Sequence, residues 1–161
     1  MKKFIPNTQT VNQDRSYFLG SGIFVKRDTD ISRGANEART LRLLDHPFIQ
    51  KYVTSYEEYN THVLESEFFD GETLENLKFS HEDEKKIVSQ LFDVFVYMVS
   101  TGVVHGDINV SNVLYNGSEI KIIDWETAYL GDTFADLLGP PTVTNHCGMI
   151  NVVNFIRENL L

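Results

Sequence analysis

The segment "VVHGDINVSNVLYNGSEIKIIDWE", Val103 to Glu126, places the tightest constraint on what this chain can fold into. Runs of valine, isoleucine and leucine alternate there with His105, Asp107, Asn109, Asn112, Asp124 and Glu126. Within it, "NVLYNGSEIKII" reads as two strands around Asn116-Gly117, the strongest short hairpin signal in the chain. The polar residues therefore fall in a loop before the hairpin and at its far end. A fold that accepts this pattern must build a polar site on the edge of an apolar hairpin.

The remaining elements arrange themselves around that site. "SYFL" (16–19) and "IFVKR" (23–27) are β-prone runs joined by "GSG". From Arg33 to Leu44, Ala35, Ala38, Leu41 and Leu44 recur at helical spacing, and "DHP" ends the run. Strands are expected at Val53–Tyr59 and His62–Phe68, followed by a turn in "DGETL". Ser80 with Asp83 resembles a capping box at the start of a largely buried helix. Its apolar residues are Ile87, Val88, Leu91, Phe92, Phe95, Met98 and Val99, and Thr101-Gly102 stops it. A terminal helix is expected over Asn151–Leu161, with Val152, Val153 and Ile156 on one side. A small sheet with one helix thus precedes a mainly helical part carrying a hairpin, with a hinge near Glu67–Gly71.

Composition removes several function classes. With 14 basic against 23 acidic residues and a net charge of −9, no basic face for nucleic acid is apparent, and anionic membranes are disfavoured. No stretch approaches the ~18 apolar residues of a membrane span, and "MKKFIPNTQT" has no apolar run behind its lysines. Cys147 is the only cysteine, so a disulfide framework is excluded, and His46, His62, His81 and His146 show no metal spacing. A cytoplasmic location is the expectation.

What chemistry would use the polar set? Phosphoryl transfer needs a carboxylate to orient an attacking hydroxyl, a metal to neutralise phosphates and a cation to hold them. Magnesium takes hard oxygen ligands, few of them from protein. Asp107 suits the base; Asn112 and Asp124 suit the metal.

"HGDINVSN" resembles the catalytic loop of protein-kinase-like enzymes, and "IIDWE" resembles the metal-binding strand end of their aminoglycoside phosphotransferase and choline kinase branch. "LGDTFADL" is similar to that branch's next motif, and "TVNQDRSYFL" to its nucleotide-covering turn, although no Gly-x-Gly-x-x-Gly is present. Protein kinases usually carry a lysine two residues past the catalytic aspartate; here that position is Asn109, as is common in the small-molecule branch. The resemblance implies an α+β, two-lobed protein-kinase-like fold, with residues 1–70 as a nucleotide-binding lobe and 71–161 as a reduced catalytic lobe. It implies ATP and Mg2+, Lys26 on the phosphates with Glu37 as its partner, and adenine against the backbone of Glu67, Phe68 and Phe69. It further implies that His105 ties the loop to the metal-binding segment and that Asp136 braces the loop backbone.

The expected acceptor is a small hydroxylated molecule. A protein serine or threonine is the alternative, and a nucleotide-binding module without turnover is the third reading. Relatives of this branch continue past the "DL" motif with acceptor-pocket helices, where this chain has "LGPPTVTNHCGMINVVNFIRENLL". A second copy could complete such a pocket.

Overall fold

The computed structural model describes residues 15–131 and 145–161. The start of the nucleotide-covering motif, up to residue 14, and "DTFADL" with Asp136 lie outside the described residues.

Strands β1 (Arg15–Gly20) and β2 (Ile23–Asp28) form the expected antiparallel hairpin. Its two loop residues, Ser21 and Gly22, both sit at positive φ, as a tight I′ connection requires. Strands β3 (Tyr52–Glu58) and β4 (Thr61–Glu67) repeat the device with Tyr59 and Asn60 at φ 50° and 58°. The strand expected to run through Tyr59 therefore stops one residue earlier. The four strands make one antiparallel sheet in the order β1-β2-β4-β3.

Helix α1 (Ile31–Leu43) starts two residues before the expected position because Asp30 caps it, accepting from the Arg33 N–H at 3.1 Å. Ala38, Leu41 and the cap residue Leu44 of the expected stripe are buried, together with Gly34 and Glu37, while Ala35 is exposed. Gly34 widens the buried face: a Cβ there would lie 2.7 Å from the His62 ring, so only glycine lets the helix approach β4 this closely.

After β5 (Glu72–Thr73) and a 3-10 turn, Leu74–Asn76, comes α2 (His81–Thr101). Its capping box is present in full: Ser80 Oγ accepts from the Asp83 N–H at 3.1 Å, and Asp83 Oδ2 accepts from the Ser80 N–H at 3.0 Å. Gly102 closes it in the left-handed conformation. Ile87, Leu91, Val94 and Met98 are buried, each removing apolar surface worth about 2 kcal/mol from water. Phe92, counted in the expected stripe, points outward at 62% exposure.

Strands β7 (Val113–Tyr115) and β8 (Ile120–Ile122) form the central hairpin, with β5 alongside β7. Its connection is four residues long, not a two-residue Asn-Gly turn. Asn116 Oδ1 accepts from the N–H groups of Ser118 and Glu119 at 3.0 and 2.9 Å, so the side chain organises the turn. Strands β6 (Val103–Val104) and β9 (Tyr129–Leu130) form a separate pair.

Helix α3 spans Asn145–Glu158, earlier at both ends than expected. It includes Gly148, whose missing Cβ leaves room for Ile108, 2.6 Å from where that atom would be. It ends early because residues 159–161 bond to Phe79 instead: Phe79 N–H donates to Asn159 O at 3.2 Å, and Leu161 N–H donates to Phe79 O at 2.9 Å. Val152 and Ile156 are fully buried, as the periodicity predicts.

The architecture is α+β. Its apolar core runs without interruption from Ala38, Leu41 and Leu64 through Leu91 and Met98 to Trp125 and Ile156. Gln50 N–H donates to Ile122 O at 3.0 Å, and Ile122 N–H donates to Phe48 O at 2.8 Å, lacing the first half of the chain to the hairpin. Among the described residues no helix is long and apolar enough to cross a membrane.

Candidate active site

Two clusters converge around the end of β8. The first gathers charge. Lys26, on β2, places its ammonium 2.7 Å from Glu37 Oε2, 3.0 Å from Asp124 Oδ1 and 3.0 Å from Glu126 Oε2. Lys26 and Glu37 are both buried, so this is not a surface pair. Burial alone would push the Lys26 ammonium toward losing its proton; the three carboxylates outweigh that and raise its pKa. Asp124 is likewise held below the usual carboxylate range, the ammonium overcoming the effect of burial.

Glu37 does more than pair with lysine. Its other oxygen accepts from the Trp125 N–H at 3.2 Å, so one carboxylate joins β2, α1 and the segment after β8. Neighbouring Asn36 donates to the carbonyls of Glu126 and Ala128 at 2.8 and 2.9 Å, adding a second tie. Asp124 itself adopts φ 65°, an uncommon backbone for a non-glycine residue and one that aspartate tolerates better than most.

The second cluster is the loop from His105 to Asn112. His105 is fully buried and neutral: Asp107 N–H donates to its Nδ1 at 3.2 Å, and its Nε2 donates to Ile123 O at 3.0 Å. Burial pulls its pKa down, which suits a ring that carries one proton for one acceptor. It is thus a brace between the loop and the residue before Asp124. Its ring also packs on Trp125, centroid to centroid 4.5 Å, and Trp125 is fully buried as a packing residue. Gly106 adopts φ 87° with its α-carbon against Thr127, whose hydroxyl donates to His105 O at 2.9 Å.

Asp107 is exposed, and both its carboxylate oxygens are held by amides. Asn109 Nδ2 reaches Oδ1 at 3.0 Å; Asn112 Nδ2 reaches Oδ2 at 3.1 Å. Asn112 also accepts the Ile123 N–H on its backbone carbonyl at 3.0 Å. With its amide nitrogen turned to Asp107, Asn112 keeps its amide oxygen for another partner. Asn112 and Asp124 each carry an oxygen of the hard kind that magnesium prefers. Glu37, Asp124 and Glu126 also bring oxygens within 4.8 Å of one another, but the Lys26 ammonium already sits among them.

At the hinge, Glu67 N–H donates to Lys51 O at 3.0 Å and Phe68 N–H to Gly22 O at 2.8 Å. These two donors are spent within the fold, so a base would have to be met by other backbone groups of the segment. Phe69 lies under the Lys121 ammonium, 5.2 Å from its ring centre.

Sequence reasoning missed Arg15, which passes without a role inside the motif "TVNQDRSYFL". Its guanidinium lies 2.6 Å from Glu126 Oε1, joining the lysine cluster. It also missed Asn36, for which no local pattern gives a signal.

A strand lysine paired with a helix glutamate, facing an Asp–Asn loop braced to a second aspartate, is the arrangement of a protein-kinase-like phosphotransferase site. Residues 23–140 match the family described as protein kinase domain, and the chain belongs to that family. It is 32% identical over 111 residues to calcium-dependent protein kinase 4 of Plasmodium berghei, covering 63% of this chain and 21% of that protein. A probable serine/threonine-protein kinase, mkcE, of Dictyostelium discoideum is 31% identical over 96 residues, 56% of this chain and 13% of that protein. Calcium/calmodulin-dependent protein kinase type 1 of Macrobrachium nipponense is 31% identical over 107 residues, 61% of this chain and 31% of that protein. The chain therefore spans well under half the length of these curated relatives. The matches are to protein kinases and lend no support to the aminoglycoside phosphotransferase and choline kinase branch suggested by "IIDWE".

Proposed function

We propose that this chain is an ATP- and Mg2+-dependent phosphotransferase acting on a serine or threonine hydroxyl of a protein. The observation that carries the reading is the buried Lys26–Glu37 pair, 2.7 Å apart and joined to Asp124, beside a loop that presents Asp107 on two amide hydrogen bonds. The kinase relatives favour a protein acceptor over the small hydroxylated molecule expected from the motifs.

Each residue then has one task. Lys26 exchanges carboxylate partners for nucleotide phosphate oxygens, while Glu37 keeps the ammonium in place. Asp107 accepts a hydrogen bond from the acceptor hydroxyl and orients it; Asn109 and Asn112 fix the carboxylate so that one rotamer serves. Asn112 and Asp124 would hold magnesium, which when bound neutralises charge on the phosphates. His105 keeps the two loops in register. The segment 1–70 serves as the nucleotide lobe and 71–161 as the catalytic lobe, with the base near Glu67–Phe69. Asp136 is assigned the loop brace on motif position alone.

One observation favours the small-molecule acceptor as a second reading. Asn109 stands where a protein kinase has its lysine, so the acceptor side of Asp107 carries an amide and not a cation. Incubation with γ-labelled ATP and Mg2+, with a mixed protein substrate and separately with a panel of aminoglycosides and amino alcohols, tests both. Label on protein serine or threonine, lost in Asp107→Ala and Asp124→Ala, is the expected result. Label on a small molecule alone moves the assignment to the second reading. Nucleotide binding with no transfer to either would leave a binding module.

A further inference from the structure

We propose that Arg15 is a second phosphate-binding cation, and that Glu126 is its resident stand-in, a carboxylate that bridges Arg15 and Lys26 until a nucleotide phosphate replaces it. The proposal rests on the nucleotide site described above and deepens it. Three observations carry it.

Strand register supplies the first. Tyr17 pairs with Lys26 and Arg15 with Asp28, so alternation puts Arg15 on the sheet face that carries Lys26, one pleat repeat along. The second is how Glu126 is bound. Its two oxygens are divided between two cations, Oε1 to Arg15 at 2.6 Å and Oε2 to Lys26 at 3.0 Å. An anion bridging two cations is the geometry a phosphate adopts, and the planar guanidinium fork suits phosphate oxygens especially well.

The third concerns what else could require Arg15. Asp28, its other acidic neighbour, is already held in a two-pronged contact by Arg33, Nε to Oδ2 at 2.7 Å and a terminal nitrogen to Oδ1 at 2.6 Å. Arg15 Nε stands 3.5 Å from Asp28 and makes no hydrogen bond among the described residues. Arg33 therefore supplies the side-chain hydrogen bonds of Asp28, and the short contact of Arg15 is to the carboxylate beside the phosphate-binding lysine. Glu126 can turn away without losing its place, because its backbone carbonyl is anchored by Asn36. A chain with no glycine-rich phosphate cradle in its sequence thereby obtains a second cationic arm from the start of β1.

The test is a titration of adenosine and ADP, in EDTA so that metal plays no part, against wild type, Arg15→Gln, Arg15→Lys and Glu126→Gln. Arg15→Gln is expected to weaken ADP about tenfold or more, the scale of one charge-assisted hydrogen bond, and to leave adenosine within about twofold. Arg15→Lys should recover part of that loss. Glu126→Gln should tighten ADP several-fold with adenosine unchanged, since the phosphate no longer displaces a charged competitor. Equal effects of Arg15→Gln on both ligands, or none on either, would overturn the proposal. If Arg15→Gln fails to fold by circular dichroism, Glu126→Gln decides alone: tighter ADP supports the exchange, and unchanged or weaker ADP refutes it. Wild type that binds adenosine with no gain for ADP sinks this proposal and leaves the base pocket standing. Wild type that binds neither removes the nucleotide site itself.

Discussion

Replacing Lys26 by methionine is the perturbation whose outcome the structure fixes most closely. Three carboxylates lose their shared ammonium, but they are not equally harmed. Glu126 keeps Arg15 at 2.6 Å, and the Asp124 side chain is 30% exposed and can be hydrated. Glu37 is 1% exposed, so it is the charge left stranded. A stranded carboxylate has an escape, which is to take a proton. At pH 7 that costs about 3.7 kcal/mol, from 1.36 kcal/mol per unit across the gap to an unfolded pKa of ~4.3. At pH 5 the same step costs only about 1 kcal/mol. The Glu37 pKa in the variant is raised above its unfolded value, so stability is present at low pH and lost as pH rises. Lys26→Met is therefore expected to lie about 3–4 kcal/mol below wild type at pH 7 and about 1 kcal/mol below it at pH 5. In melting temperature this is about 10 °C and about 3 °C for a domain of this size. Thermal or urea unfolding at both pH values reads it directly. The double variant Lys26→Met/Glu37→Gln should regain most of the stability at pH 7 and still transfer no phosphate. A deficit that does not change with pH, or one that Glu37→Gln fails to repair, would refute the stranded-carboxylate reasoning.

Gly106→Ala should destabilise by about 2 kcal/mol or more: the left-handed backbone costs 1–2 kcal/mol for a residue with a Cβ, and that Cβ would fall 2.7 Å from Thr127 O. Phosphotransfer should drop with it, since Asp107 is the next residue; urea unfolding and the label assay check the pair. His105 is buried with its pKa depressed, so the unfolded chain takes up a proton that the folded one resists. Stability should therefore fall as pH drops below about 6.5, by up to about 1.4 kcal/mol per unit, and His105→Asn should flatten this part of the profile. Tyr59→Asn should raise the melting temperature by about 2–4 °C, since Tyr59 is 92% exposed and holds a left-handed turn position that asparagine adopts more readily. Among the described residues no hydrogen bond or ion pair links Tyr59 to the proposed site, so activity should not change.

Features that depend on near neighbours in the chain are legible from the residues alone. The Ser80–Asp83 capping box, the Gly102 stop and the first two hairpins each involve residues a few positions apart. The spacing of Asp107, Asn112 and Asp124 is legible because one hairpin carries all three. Lys26 and Glu37 are readable only through the resemblance, since nothing local announces that a strand lysine and a helix glutamate will meet. Hydropathy finds Ala38, Leu41 and Leu44 on α1 but not Gly34, because it scores glycine as neither core nor surface, and a Cβ at Gly34 would meet the His62 ring. Gly148 falls before the expected start of the terminal helix, yet it sits inside α3, where its bare α-carbon admits Ile108. Arg15 and Asn36 are invisible for a different reason. Their partners lie 111 and 90 residues away, and a single charged or amide side chain carries no pattern that names a distant mate.

Asn109 shows how a motif difference can be explained twice. As a departure from the protein-kinase pattern it suggests a small acceptor. Within the loop it has a local task that needs no acceptor at all. Its amide nitrogen holds Asp107 Oδ1 at 3.0 Å, while its oxygen accepts from the Ser111 N–H and hydroxyl at 2.9 and 2.8 Å. A lysine could supply the first contact but not the second, because an ammonium has no acceptor. On the proposed function the asparagine trades a cation on the acceptor side for a tighter loop, and the transferred charge would be met from the opposite side, by Lys26 and its neighbours. That is a difference in where the site keeps its positive charge. On the proposed function it bears on the rate of transfer as well as on the identity of the hydroxyl, and the labelled-ATP assay with both acceptor classes separates the two.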